Sequence, residues 1–221
     1  MTYYTRKEQV TKYYKWGSPN VIISGSPTIN NGVISNLTDS NNCKIDHAYV
    51  SNNATYVFKF TTADVIDDID EIVHKENFLN IGTRTGNKIT FYNWSNKKIY
   101  EWFTANLNTT YWVKIIVNGN NKTYSYSTDG TTFTGSQTIT DTGMKLSDYT
   151  YSFILGASSH SSNHSFNGTI DLKGCYMEQN GKKVWTGMTI VKGTSSDYVF
   201  TKNENAYYTR KDGNLYYARE N

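Results

Sequence analysis

The stretch from Tyr111 to Phe133, YWVKIIVNGNNKTYSYSTDGTTF, limits the fold more than any other part of the chain. Tyr111, Val113, Ile115 and Val117 place large apolar residues at every second position, the period of a half-buried strand. Asn118-Gly119 follows, two residues that tolerate positive φ and so close a tight turn. The return strand runs from Thr123 to Ser127, and Asp129-Gly130 turns the chain again. Two antiparallel strands and the start of a third are therefore predicted.

The rest of the chain has the same character. Of 221 residues, 15% are aromatic, 19 of them Tyr, and only two are Pro. That mixture favours pleated surfaces over disorder. Short strands are expected at 21–24, 28–34, 43–50, 55–60 and 77–83. A hairpin is expected from 87–94 and 97–104 around Ser95-Asn96. A strand at 151–158 and one long strand over 166–179 follow, the latter turning at Asn180-Gly181. Residues 61–75, rich in Asp and Glu, read as a polar loop. Helical periodicity is almost absent, so the prediction is all-β, an antiparallel sandwich.

Charge and cysteine content exclude several classes. A net charge of +3 gives no concentrated basic face for nucleic acid. No apolar run is long enough to cross a bilayer, and residues 1–10 lack the apolar core of a signal peptide. Cys43 and Cys175, 132 residues apart, make neither a disulfide framework nor a zinc site. Both are expected to stay reduced. The Asn-x-Ser/Thr triplets are read as unglycosylated.

The two ends carry a short repeat. Tyr-Tyr-Thr-Arg-Lys occurs at 3–7 and at 207–211, each followed by a second Tyr-Tyr pair, at 13–14 and 216–217. Asp212-Gly213 predicts a hairpin in the later copy. Three regions follow: 1–16, 17–194 and 195–221. The repeats read either as similar edge hairpins or as docking elements. In the second case Tyr3, Tyr4, Arg6, Lys7, Tyr207, Tyr208, Arg210 and Lys211 would contact partner subunits.

The order NKITFYNW, YWVKIIVNG, FILGASS and FNGTIDLKGCYMEQNGKKVW resembles the concanavalin A-like lectin/glucanase superfamily. The likeness is to the laminin-G-like, jelly-roll form common in bacteriophage fibre and virion proteins, and it spans about residues 20–187. It implies two curved antiparallel sheets with a carbohydrate or protein ligand on the concave face or at the loop rim, and, as often in that fold, the strands of Cys43 and Cys175 as neighbours in one sheet. It also implies a protein of the virion surface, assembled in the host cytoplasm. Its partners would be a host-surface glycan or receptor, other virion subunits and further copies of the chain, without nucleic acid or membrane. The rivals are a structural capsid or tail decoration protein and a glycoside hydrolase.

Glucanases of the superfamily carry an E-x-D-x-x-E strand motif whose carboxylates flank the glycosidic bond. The nearest text is Asp68-Ile69-Asp70-Glu71-Ile72-Val73. Asp replaces the first Glu, and Val73 stands in place of the acid, which argues against hydrolysis. Asp67, Asp68, Asp70 and Glu71 could instead offer oxygen ligands to Ca²⁺, though their spacing is not that of an EF-hand. No cofactor is expected. Ser127–Phe133 resembles an Asp-box turn with one residue missing, but it occurs once, and the Asp-Gly hairpin turn alone explains it. The binding candidates are Tyr92, Trp94, Tyr100 and Trp102 on the 87–104 hairpin, whose flat rings could stack on sugars. Here Tyr100 and Trp102 are expected to share a face opposite Ile99 and Phe103. His160 and His164 lie in a Ser/His/Asn loop suited to a polar rim, without a third ligand for zinc.

Overall fold

The computed structural model describes residues 4–9, 20–46, 51–145, 153–158, 164–186, 205–211 and 215–219. In chain order the strands are β1 (Tyr4–Gln9), β2 (Asn20–Ser24), β3 (Thr28–Asn30), β4 (Val33–Ser35), β5 (Asn42–Asp46) and β6 (Asn53–Thr61). Then come β7 (Glu71–Lys75), β8 (Leu79–Arg84), β9 (Lys88–Asn93), β10 (Lys98–Thr104), β11 (Thr110–Asn118), β12 (Asn121–Ser127) and β13 (Thr134–Thr140). The last are β14 (Phe153–Leu155), β15 (Thr169–Asp171), β16 (Tyr176–Gln179), β17 (Lys182–Thr186), β18 (Asn205–Lys211) and β19 (Leu215–Arg219).

Two antiparallel sheets form the sandwich expected from the strand periodicity. One has seven strands in the order β10-β9-β8-β7-β14-β5-β2. The other has nine, built on the path β13-β12-β11-β6-β15-β4-β3, with β16 also on β6 and β17 beyond it. The opening stretch of the sequence supplies β11 and β12. Its alternation places Tyr111, Val113, Ile115 and Val117 in the core. Asn118 pairs with Asn121 across the turn, and Gly119 takes the positive φ of 58° that the turn needs.

The sheets meet through aromatic rings. Phe91 of β9 stacks on Tyr124 of β12 at 4.0 Å between centroids, and Phe103 of β10 stacks on Tyr126 at 3.8 Å. Tyr56 of β6 meets Phe78 edge-on at 5.3 Å. Offset and edge-on pairs of this kind contribute about 0.5–1.5 kcal/mol each beyond the area they bury.

Several expectations need correction. The acidic segment 61–75 is not all loop: β7 runs Glu71–Lys75 between β8 and β14. A register slip between Glu71 and Val73 lets both Ile72 and Val73 reach full burial, which hides the strand period. The long strand over 166–179 is broken by a 3₁₀ turn at Leu172–Gly174, capped by Asp171, whose side chain accepts from the Lys173 N–H. Gly174 is required there because a Cβ would lie 2.4 Å from Lys59 Cδ. Cys43 and Cys175 are free and buried, but on opposite sheets rather than neighbouring strands: Cys43 lies in β5, Cys175 immediately before β16. Burial pushes the Cys175 thiol up to about 12 and Cys43 upward as well.

The terminal repeats form a separate three-stranded sheet, β1-β18-β19. Of the residues proposed for docking, Tyr3 lies outside the described residues. The other seven fall in β1 and β18.

Candidate functional site

The outer face of the seven-stranded sheet gathers polar and aromatic side chains at one end. Register decides its membership. His74 of β7 lies opposite Asn80 of β8, and Thr90 and Tyr92 of β9 lie opposite Glu101 and Ile99 of β10.

At its centre His74, only 3% exposed at the side chain, stands between two carboxylates. Nδ1 is 2.8 Å from Glu71 Oε2, and Nε2 is 3.3 Å from Glu76 Oε2. Asn80 Nδ2 donates to Glu71 Oε1 at 2.9 Å. The Trp94 ring meets the imidazole edge-on at 6.5 Å, and Tyr92 meets Trp94 edge-on at 4.7 Å. Trp94 Nε1 is shut off from solvent without an acceptor. Such an orphan donor costs roughly 1–3 kcal/mol, and a native protein that keeps one calls for an explanation.

The turn carrying Trp94 is held from inside the core. Lys122 and Asp141 are both 0% exposed, with Lys122 Nζ 2.8 Å from Asp141 Oδ2. Lys122 also donates to the Phe78 carbonyl. Asp141 accepts the backbone N–H of Trp94 at 3.3 Å and that of Ser95 at 3.0 Å. It accepts Gly143 N–H at 3.2 Å as well. Desolvation lowers the Lys122 pKa, against the opposing pull of Asp141. Asn93 adds a second anchor, donating to Thr140 O at 3.0 Å.

Toward β10 the face opens into a shallow pocket of about 370 Å³ lined by Asp68, Arg84, Thr85, Ile99 and Glu101. Arg84 stands 3.7 Å from Asp68, and Ile99 is 46% exposed.

The hairpin aromatics divide between the two faces. Tyr92 and Trp94 belong to the outer cluster. Trp102, 8% exposed, packs into the core with Phe103, and its Nε1 donates to Gly135 O at 2.8 Å. The expected opposition of Trp102 and Phe103 fails because β10 slips register between Glu101 and Phe103. Tyr100 is half-buried and lies parallel to Phe91 at 5.5 Å. His160 falls outside the described residues. His164 is described, and its carbonyl accepts the Glu71 N–H at 3.3 Å, which brings the Ser/His/Asn loop beside β7.

The acidic residues considered for Ca²⁺ have separate partners. Asp67 accepts from Asn167 Nδ2 at 3.1 Å, Asp68 from Thr85 N–H at 3.0 Å, and Glu71 belongs to the His74 cluster. Among the described residues no three His, Cys, Asp or Glu side chains group as metal ligands. Asp70 is nearly buried, with Oδ2 unpartnered. Burial first, then the charge of Asp67, pushes its carboxyl up to about 7. Val73, in the motif position where a glucanase has its acid, points into the core. His74, Glu76 and Asn80 were missed by sequence reasoning, since only cross-strand register brings them together.

No family model matches the sequence, and no curated protein matches it. Among solved structures the chain is similar to domain 4 of AbnA, a GH43 extracellular arabinanase from Geobacillus stearothermophilus (TM-score 0.47, 14% identity, 68% of this chain and 78% of that one). It is also similar to the enzymatically active domain of bacteriophage CBA120 tailspike protein 2 (TM-score 0.47, 11% identity, 73% of this chain, 29% of that one). A third is the heptameric SAP-like pentraxin of Limulus polyphemus (TM-score 0.41, 12% identity, 72% and 76%).

Proposed function

We propose that this chain is a non-catalytic carbohydrate-binding sandwich of a bacteriophage particle, its ligand lying on the outer face of the seven-stranded sheet. The observation that carries the site is the buried, unpartnered Trp94 N–H beside Tyr92. The Tyr92 ring supplies an apolar surface for a pyranose, Glu71 and Asn80 supply polar groups, and the Trp94 N–H, closed to water in the free protein, gains an acceptor when the face opens to admit a sugar hydroxyl. The sequence resemblance adds the setting: the virion surface, among other virion subunits, facing a host glycan.

A hydrolytic reading needs two carboxyls across one bond. Asp70 has the raised pKa of an acid, but its neighbours are Asp67, Asp39 and the Asn167 N–H, whereas Glu71 engages His74 and Asn80. The two acids do not converge on one space.

The test is a bacterial glycan array with the full chain, followed by calorimetry on the best ligand. Tyr92→Ala and Trp94→Phe should each weaken binding about tenfold or more, Trp94→Phe by removing the N–H together with part of the ring. Unchanged affinity in both variants places the ligand elsewhere. No binding to any glycan favours a decoration role.

A further inference from the structure

The terminal sheet uses one triplet twice, Tyr4-Thr5-Arg6 in β1 and Tyr208-Thr209-Arg210 in β18, and adds the related Tyr217-Ala218-Arg219 in β19. The two copies pair about a local two-fold axis. Thr5 lies opposite Thr209, Tyr4 opposite Arg210, and Arg6 opposite Tyr208. On the other edge of β18 the register is one residue out of this scheme: Arg210 is opposite Tyr216 and Tyr207 opposite Arg219, while Tyr208 is opposite Ala218 and Thr209 opposite Tyr217. A Tyr-Thr-Arg strand is therefore self-complementary when antiparallel, because reversal sets each Tyr against an Arg and avoids like charges at opposed positions.

The middle strand has a Tyr/Arg strand on each edge. Among the described residues β1, which carries the same triplet, has one on a single edge only. A strand edge with unpaired N–H and C=O groups is a template for another strand. We propose that a second copy of this chain fills it, β1 pairing with β1 about a two-fold axis through Thr5. Tyr4 then lies opposite Arg6 of the second copy, and the two terminal sheets join as β19-β18-β1-β1-β18-β19. Like-to-like antiparallel pairing is isologous, so the assembly closes at two chains. The contact is independent of the glycan face.

The test uses the full chain and two variants. Light scattering should give twice the 25.2 kDa chain mass. Thr5→Cys should be joined between chains by a short bismaleimide, since directly opposed residues have Cβ atoms about 4.5–5.5 Å apart. The native thiols are buried and should not react. Thr5→Cys combined with Thr209→Cys should cross-link within one chain, a control for the register. A monomer, a trimer, or a dimer that Thr5→Cys fails to link overturns the proposal. So does failure of the double variant to link, because the sheet it rests on is then not formed. A strand from residues 10–19 occupying the edge would appear as a monomer.

Discussion

Replacing Asp141 by Ala should unfold more of this protein's stability than replacing Lys122 by Met, although the two groups form one ion pair. Asp141 is the acceptor for four donors: Lys122 Nζ and the N–H groups of Trp94, Ser95 and Gly143. Its removal strands a buried ammonium and three backbone N–H groups together. Breaking a buried pair from one side costs about 3–5 kcal/mol, so about 5 kcal/mol is expected for Asp141→Ala. That is a third or more of the roughly 5–15 kcal/mol that a typical domain has in all. Lys122→Met keeps the aliphatic stem and leaves the carboxylate its three backbone donors, so about 2 kcal/mol is expected. The double variant should cost less than the sum, by an interaction energy of about 1–3 kcal/mol. Urea unfolding at pH 7, followed by tryptophan fluorescence, measures all three. A Lys122→Met cost equal to or above that of Asp141→Ala would refute the argument, because the carboxylate would then not be the hub. The same variants bear on the site, since Asp141 holds the Trp94 turn. Asp141→Ala should weaken glycan binding even where it remains folded, and Lys122→Met much less.

Two further outcomes follow from single positions. Asp70 has a folded pKa of about 7 against 3.8 for the free carboxyl, so the fold favours its neutral form. Its contribution is neutral below the lower value and becomes destabilising as pH rises from about 4 to 7. Asp70→Asn should therefore be more stable than wild type at pH 8, by about 2–4 kcal/mol, with the gain lost below pH 4. Denaturation across pH 4–8 checks this, and a pH-independent difference would sink it. Gly130 has φ of 76° and a Cβ there would lie 3.0 Å from the Trp112 ring, whereas Gly119 has φ of 58° and open space. Gly130→Ala should cost about 2 kcal/mol and Gly119→Ala about 1; equal melting temperatures would count against the Trp112 contact.

What could be read from the sequence was whatever local pattern encodes. The alternation in 111–117 and the Asn-Gly turns at 118–119 and 180–181 placed β11, β12, β16 and β17. A bulge defeats the same logic. Where β7 and β10 slip register, Ile72 and Val73, and likewise Trp102 and Phe103, enter the core as neighbours. The acid-rich text of 61–75 reads the first pair into a loop, and a period of two assigns the second pair to opposite faces. Lys122 is illegible for another reason: a charged residue at a core position belongs inside only because Asp141, 19 residues on, meets it there.

The candidate site repeats the lesson. Tyr92 and Trp94 stand out in the sequence as large aromatic rings flanking a turn, and Glu71 as one acid among several. His74, Glu76 and Asn80 stand out in no local window. What joins them to the two rings is the pairing of β7 with β8 and the core carboxylate beneath the Trp94 turn. The site is thus a product of register and of one buried ion pair. A substitution that shifts either should disable binding without touching a residue of the face itself.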